Sequence, residues 1–396
     1  MNLSSRILSM QSSPIRRLVP YAQKAKKNGK KVYHLNIGQP DIKTPKSFLQ
    51  SIRDFDQEVL EYSTSQGSEE LRNAMINYYK NYNIDFELDD IFVTNGGSEA
   101  LLFALIAVCD PGEEVLIPEP FYTNYSGFSD AINVTVKPIT TSGDNGFRLP
   151  SKEDIEKTIS TKTKAILISN PGNPTGAVYT KDEVMMLASL AKEYNLFIIA
   201  DEVYREFVYD GLEYISFGNI KEIEDRVIIV DSVSKRYSAC GARIGSIASK
   251  NKDLMRNILK LCQGRLCVPT LEQIGATKLY ETDKSYFEEV NLEYKNRRDT
   301  LYSKLIKIEG VSCQKPTGAF YIIAKLPVDD AEVFVKWMLE EFDLDGETVM
   351  MAPAEGFYKT KGLGRDEARL AYILNEKDLI RSVEILEAGL KAYNNR

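Results

Sequence analysis

The chain has 396 residues, with 50 lysines and arginines against 57 aspartates and glutamates, for a formal net charge of −7. That suits an ordinary folded chain, long enough for a large domain and a smaller one, with no global electrostatic pull toward nucleic acid. A single histidine, His34, makes multi-histidine zinc sites impossible and leaves histidine-based nucleophilic catalysis only that residue. The longest apolar stretch, Ala100 to Cys109, is about half a membrane span, which implies a soluble chain. Five cysteines without a CxxC pair fit a reducing, cytoplasmic setting. Eight basic and no acidic residues in the first forty lack a clean amphipathic period, so this segment reads as a structural arm rather than a targeting sequence.

From Ile91 onward, short apolar runs alternate with helical patterns. Strands are expected at Ile91–Thr94, Glu114–Pro118, Val134–Ile139, Ala165–Ser169, Leu196–Ala200 and Arg226–Val230. Helices are expected at Ala100–Cys109, Lys181–Tyr194 and Lys252–Leu261. This alternation predicts an α/β fold with a mostly parallel sheet sandwiched by helices. A long charged helix then runs from Lys284 to Ile308, followed by strands Ala319–Ala324 and Ala368–Ile373 and helices Ala331–Phe342 and Glu376–Tyr393. The expected division is an N-terminal arm (1–47) belonging to a small α+β domain, a large domain (48–283), and a linking helix with the rest of the small domain (284–396).

Ligands of open α/β sheets bind beyond the carboxyl ends of the strands, so the residues just past each strand carry the functional signal. After the first comes Asn95-Gly96-Gly97-Ser98-Glu99, opening a helix; after the fourth, Asn170-Pro171-Gly172-Asn173-Pro174-Thr175-Gly176. After the fifth comes Asp201-Glu202-Val203-Tyr204, and after the sixth Asp231-Ser232-Val233-Ser234-Lys235, with Arg243 eight residues on. A Gly-Gly-Ser helix start offers free N–H groups to a phosphate, and Ser232, Ser234 and Arg243 complete a cradle. A strand-end carboxylate, Asp201, can hold a proton on a ring nitrogen. Lys235, crowded by cations and partly desolvated, is suited to imine formation. Phosphate, protonated ring nitrogen and imine-forming lysine together describe pyridoxal phosphate. Glu202 points away from Asp201 along a strand and reads as structural, as does His34. Cys240 reads as a packing residue, and Arg297-Arg298 as a solvated helix face.

The chain resembles the fold-type I pyridoxal-phosphate enzymes, specifically the class I/II aminotransferases of the aspartate aminotransferase superfamily. The resemblance rests on Gly38-Gln39-Pro40-Asp41, the Tyr62…Gly67…Leu71-Arg72 block, Asn170–Gly176, Asp201–Tyr204, Ser232–Lys235, Gly241–Gly245 and Arg369-Leu370-Ala371-Tyr372, in family order. It implies that Lys235 binds the cofactor as a Schiff base and shuttles the substrate proton, and that Asp201 partners the pyridinium nitrogen. Tyr204 and Asn173 match donors to the phenolic oxygen. Gly97, Ser98, Ser232, Ser234 and Arg243 match the phosphate cradle, and Tyr122 the ring stacked on the cofactor, with Tyr125 a candidate to orient Asp201. Tyr62 matches a tyrosine that reaches the neighbouring subunit's phosphate, which implies a homodimer with shared sites. Arg369 matches the arginine gripping the substrate α-carboxylate, and Gly38 a close backbone approach to substrate.

The implied activity is ping-pong transfer of an amino group from an L-amino acid, aspartate or a broad or aromatic donor, to a 2-oxo acid such as 2-oxoglutarate. A C–S β-lyase on the same scaffold is the alternative. Two departures bear on the donor: Ser98 stands where many relatives carry a lysine for the distal carboxylate, and Pro353-Ala354-Glu355-Gly356-Phe357-Tyr358 departs from the usual Pro-Gly…Phe-Gly segment. No metal, nucleic acid or membrane partner is expected.

Overall fold

A computed structural model describes residues 3–396, so the first two residues of the expected arm lie outside it. Its centre is a seven-stranded sheet in the order Ile91–Thr94, Gly245–Ala248, Val227–Ser232, Phe197–Asp201, Thr163–Ser169, Glu114–Glu119, Thr135–Thr140. The five strands from Val227–Ser232 to Thr135–Thr140 are mutually parallel. Gly245–Ala248 runs antiparallel to both of its neighbours. Successive side chains alternate between two apolar layers: Ile198 and Ala200 join one, Ile199 the other, and Val227 and Ile229 face away from Ile228 and Val230. Helices therefore cover both faces, which is why these strands read as continuous apolar runs rather than as alternating ones.

The α/β expectation holds, with all six expected strands present near their expected bounds. Gly245–Ala248 is a seventh that the pattern did not show: it has four residues, opens with glycine and contains one β-branched side chain. Helix ends follow local chemistry. Thr180 accepts from the Glu183 N–H while Glu183 accepts from the Thr180 N–H, a capping box that starts Lys181–Glu193.

Beyond the long helix Lys284–Leu305, a four-stranded antiparallel sheet runs Ala352–Pro353, Glu367–Ala371, Tyr321–Lys325, Ser312–Cys313. The early strand Lys31–His34 pairs in parallel with Glu347–Met350. Leu18, Ala22, Val32 and Leu35 share one apolar cluster with Phe334, Met338, Val349 and Leu386. His34 bonds Asn36 through Nδ1 at 3.3 Å, and burial lowers its pKa.

One expectation fails. Arg297 and Arg298 are buried rather than solvated. Arg298 reaches Asp210 at 2.7 Å and the Pro316 carbonyl at 3.0 Å; Arg297 reaches Asp41 at 2.6 Å and also donates to the Ile373 carbonyl. The helix is packed on several sides, so these arginines trade water for carboxylates and free carbonyls. Among the described residues, no helix is long and apolar enough to cross a membrane.

Candidate active site

The carboxyl ends of Thr163–Ser169, Phe197–Asp201 and Val227–Ser232 meet the start of helix Gly97–Val108 around a cavity of about 290 Å³. Of the thirteen cofactor and substrate residues expected from the sequence, twelve line it: Gly38, Gly97, Ser98, Tyr122, Asn173, Asp201, Tyr204, Ser232, Ser234, Lys235, Arg243 and Arg369. The thirteenth, Tyr62, stands apart and is 81% exposed in the single chain.

Asp201 ends its strand at 7% exposure. Its carboxylate accepts from the Tyr125 hydroxyl at 2.7 Å and the Val203 N–H at 3.3 Å, and pairs with no cation among the described residues. Burial pushes its carboxyl up to about 6, against the downward pull of those two hydrogen bonds. An uncompensated carboxylate in such a place favours a cationic hydrogen-bond donor.

Lys235 lies in the short helix Val233–Arg236, directly after its strand. Its Nζ donates to the Gly38 carbonyl at 2.9 Å and sits 3.8 Å from Cys240 Sγ, so Cys240 faces the cavity as well as packing. Ser232 Oγ donates to Ser234 Oγ at 2.6 Å and accepts from the Ser234 N–H at 3.0 Å. Arg243, at φ 53°, bonds only carbonyls, Cys240 at 3.1 Å and Asn95 at 3.5 Å. Hydroxyls, helix-start N–H groups and a guanidinium with no carboxylate partner make an anion cradle.

Arg369 is 2% exposed and likewise has no carboxylate partner. It donates to Asn173 Oδ1 at 3.0 Å and the Asn36 carbonyl at 2.6 Å, while its Nε is buried without a partner. Its guanidinium stacks 4.4 Å from the Tyr321 ring centroid. Tyr321 also meets the Tyr204 hydroxyl at 2.7 Å, and a Cβ on Gly38 would collide with its phenol oxygen at 1.9 Å. The sequence reading missed Tyr321; its only signal was a tyrosine opening the strand paired with Arg369's own. Ser13, Ile15, Arg16 and Ile37 were missed too, because nothing local ties the arm to the strand ends. Glu202 is buried beside Asp201 but bonds Arg205 at 2.6 Å and Ser216 at 2.8 Å, outside the cavity.

The donor set fits pyridoxal phosphate: a lone buried carboxylate for a ring N–H, an anion cradle, and an amine between them. Fold and site together define a fold-type I pyridoxal-phosphate enzyme. The family described as aminotransferase class I and II matches residues 30–365. The chain belongs to that family and is a pyridoxal-phosphate-dependent transaminase.

Its relatives include an aspartate aminotransferase of Bacillus subtilis, 31% identical over the whole of both chains. An aromatic-amino-acid aminotransferase of Thermococcus litoralis is 30% identical over 99% of each. Among solved structures, an alanine aminotransferase from Pyrococcus furiosus superimposes with a TM-score of 0.90 at 32% identity, covering 99% of this chain and 100% of that one. None of these is a lyase, and the C–S β-lyase alternative is not favoured.

Proposed function

We propose that the enzyme moves the amino group of an L-amino acid to a 2-oxo acid, 2-oxoglutarate among them, in two half-reactions at one site. The observation that carries this is the pairing of a lone buried carboxylate, Asp201, with a lone buried guanidinium, Arg369, in the same cavity as Lys235. When bound, pyridoxal phosphate supplies an aldehyde that condenses with amines and a protonated ring that draws electrons from the substrate α-carbon.

The chain's own groups do the rest. Asp201 keeps the proton on the ring nitrogen, held in place by Tyr125. Gly97, Ser98, Ser232, Ser234 and Arg243 would hold the phosphate, with Tyr122, Tyr204 and Asn173, which line the same cavity, toward the ring. Arg369 grips the α-carboxylate with its planar fork, which also orients the α-hydrogen toward Lys235. The Lys235 Nζ would take up that proton as a general base and, as a general acid, give it back on the cofactor side of the transferred nitrogen. Gly38 brings backbone close to the substrate. Aspartate, alanine and aromatic donors all occur among the named relatives, so the donor is set by groups beyond this shared core. The reading also takes a homodimer in the cytoplasm, a large domain at 48–283, and a small one from 1–47 and 284–396.

Absorption spectroscopy of the purified holoenzyme tests it. A yellow band bleached by particular amino acids and restored by 2-oxoglutarate is expected, and Lys235→Ala is expected to abolish turnover. Normal steady-state transamination by that variant, or pyruvate and ammonia from a cysteine conjugate without bleaching, would overturn the reading.

A further inference from the structure

A second cavity, of about 570 Å³, lies between helix Glu69–Lys80, the loop after strand Phe197–Asp201 and the start of helix Lys284–Leu305. It shares no lining residue with the active site. Tyr78, Tyr82, Tyr280 and Phe287 give its wall four aromatic rings, and Glu206 gives it a carboxylate. Tyr78 packs 5.4 Å from Tyr82 and 5.6 Å from Tyr280, at interplanar angles of 52° and 70°, so the rings meet at angles rather than as a stacked block.

The hydrogen-bond donors of these side chains are already spent. The Tyr78 and Tyr82 hydroxyls both donate to Glu206 Oε1, the second at 2.6 Å. Burial raises both phenols, so each keeps the proton it donates. Asn291 Nδ2 donates to the Glu206 and Val208 carbonyls, both at 3.0 Å, which fixes the amide with Oδ1 as its free end. What remains can accept. Among the described residues Glu206 Oε2 and Asn291 Oδ1 have no hydrogen-bond partner, and the Thr282 hydroxyl, also in this wall, is buried without one.

The charge balance agrees. Behind the tyrosines, Arg205 pairs with Glu202 at 2.6 Å and Asp231 at 3.6 Å, and Arg236 pairs with Asp231. Those two guanidiniums are matched by those two carboxylates, and Glu206 is left over, with no ion pair among the described residues. Arg236 and Arg205 lie 4.5 and 5.0 Å from the Tyr78 and Tyr82 centroids, whereas no described cation lies over Tyr280 or Phe287. The Lys284 side chain is 88% exposed and pairs with Glu288 at 3.5 Å, so it stands at the rim.

We propose that this cavity binds a small organic cation carrying N–H donors, a guanidinium or primary ammonium compound, with its charge against Glu206 and its flank on Tyr280 and Phe287. Aromatic faces beside a carboxylate attract a cation, and the free acceptors on Asn291 and Thr282 reward one that brings N–H groups. The occupant joins helix Glu69–Lys80 to helix Lys284–Leu305.

Calorimetric titration of the holoenzyme with methylguanidinium chloride tests this, since a protonated guanidine has no free amine to condense with the cofactor. Saturable binding with a dissociation constant of about 1 mM or below is expected. Glu206→Gln, whose amide oxygen can still accept from both tyrosines, is expected to weaken binding on the order of 10-fold with turnover retained. Phe287→Ala is expected to weaken it too, and serves if Glu206→Gln fails to fold. Tetramethylammonium is expected to bind less tightly than methylguanidinium. Absence of saturable binding would overturn the proposal, as would wild-type affinity in the folded variants, which would place the cation elsewhere. Tighter binding of tetramethylammonium would overturn the role of the N–H donors. Binding is read apart from turnover, so failure here leaves the transaminase reading standing.

Discussion

Asp201 is where function works against stability. Its carboxyl is raised from 3.8 to about 6, chiefly by burial. Without the cofactor, the native state between these values binds more protons at this site than the unfolded chain does. Stability therefore falls as pH rises through that window, by up to about 3 kcal/mol. Asp201→Asn removes the penalty. The cofactor-free variant is expected to melt above the cofactor-free wild type at pH 7 and to converge with it near pH 4, while its turnover drops by orders of magnitude. Thermal unfolding at the two pH values checks this, and an equal gap at both would refute it. A second residue-scale expectation concerns Tyr321. If Tyr204 gives its one proton to the cofactor, the hydroxyl 2.7 Å away must donate to Tyr204 and strengthen it as a donor. Tyr321→Phe should then raise the pH midpoint of the Schiff-base absorbance by about 0.5 unit. A spectrophotometric titration with an unmoved midpoint would assign Tyr321 to packing alone.

At the scale of elements, the phosphate cradle depends on a strand that pattern reading did not reveal. Gly245 opens the antiparallel strand between Ile91–Thr94 and Val227–Ser232, where a Cβ would lie 2.5 Å from the Gly96 carbonyl carbon and 2.7 Å from both the Gly97 nitrogen and the Asp231 oxygen. All three are backbone atoms at the joints of the cradle, so none can swing aside. Gly245→Ala is expected to cost about 1–3 kcal/mol and to weaken cofactor binding together with stability. Urea unfolding and cofactor titration check the pair; wild-type values in both would show that the joint yields freely. The glycine itself was visible in the Gly241–Gly245 motif, but as part of a ligand loop. That it also carries a strand register depends on Ser246 and Ile247 finding partners on both sides, which no local pattern records. Helix Lys284–Leu305 gives the same lesson. Its apolar spacing was legible, yet two adjacent arginines on a charged helix look solvated until Asp41, Asp210 and two carbonyls are placed against them.

At the scale of the whole molecule, the single chain leaves a face uncovered. Val59, Leu60, Tyr62 and Leu266 are all exposed. The backbone of Glu61 and Ser65 is tied to Thr270 at 2.9 Å and Arg265 at 3.0 Å, which holds the 61–65 and 265–270 segments side by side. In the proposed dimer, Tyr62 reaches the partner's phosphate. Tyr62→Phe is then expected to shed cofactor faster on dialysis while remaining dimeric by light scattering. Unchanged retention in a verified dimer would remove that role.

Local sequence was enough for the α/β class, the cofactor, and the polar turns at the strand ends. Its signals are short in range: an apolar run ending in a carboxylate, a Gly-Gly-Ser helix start, a lysine three residues after Ser232. Tertiary packing was needed to settle which groups stand unpaired and which meet. It buries Asp201 without a cation, brings Arg369 to Asn173 across 196 residues of sequence, and folds the Ser13–Arg16 segment against the strand ends. Burial and long-range pairing belong to no segment alone, because a side chain's charge is compensated by whatever the packing sets beside it.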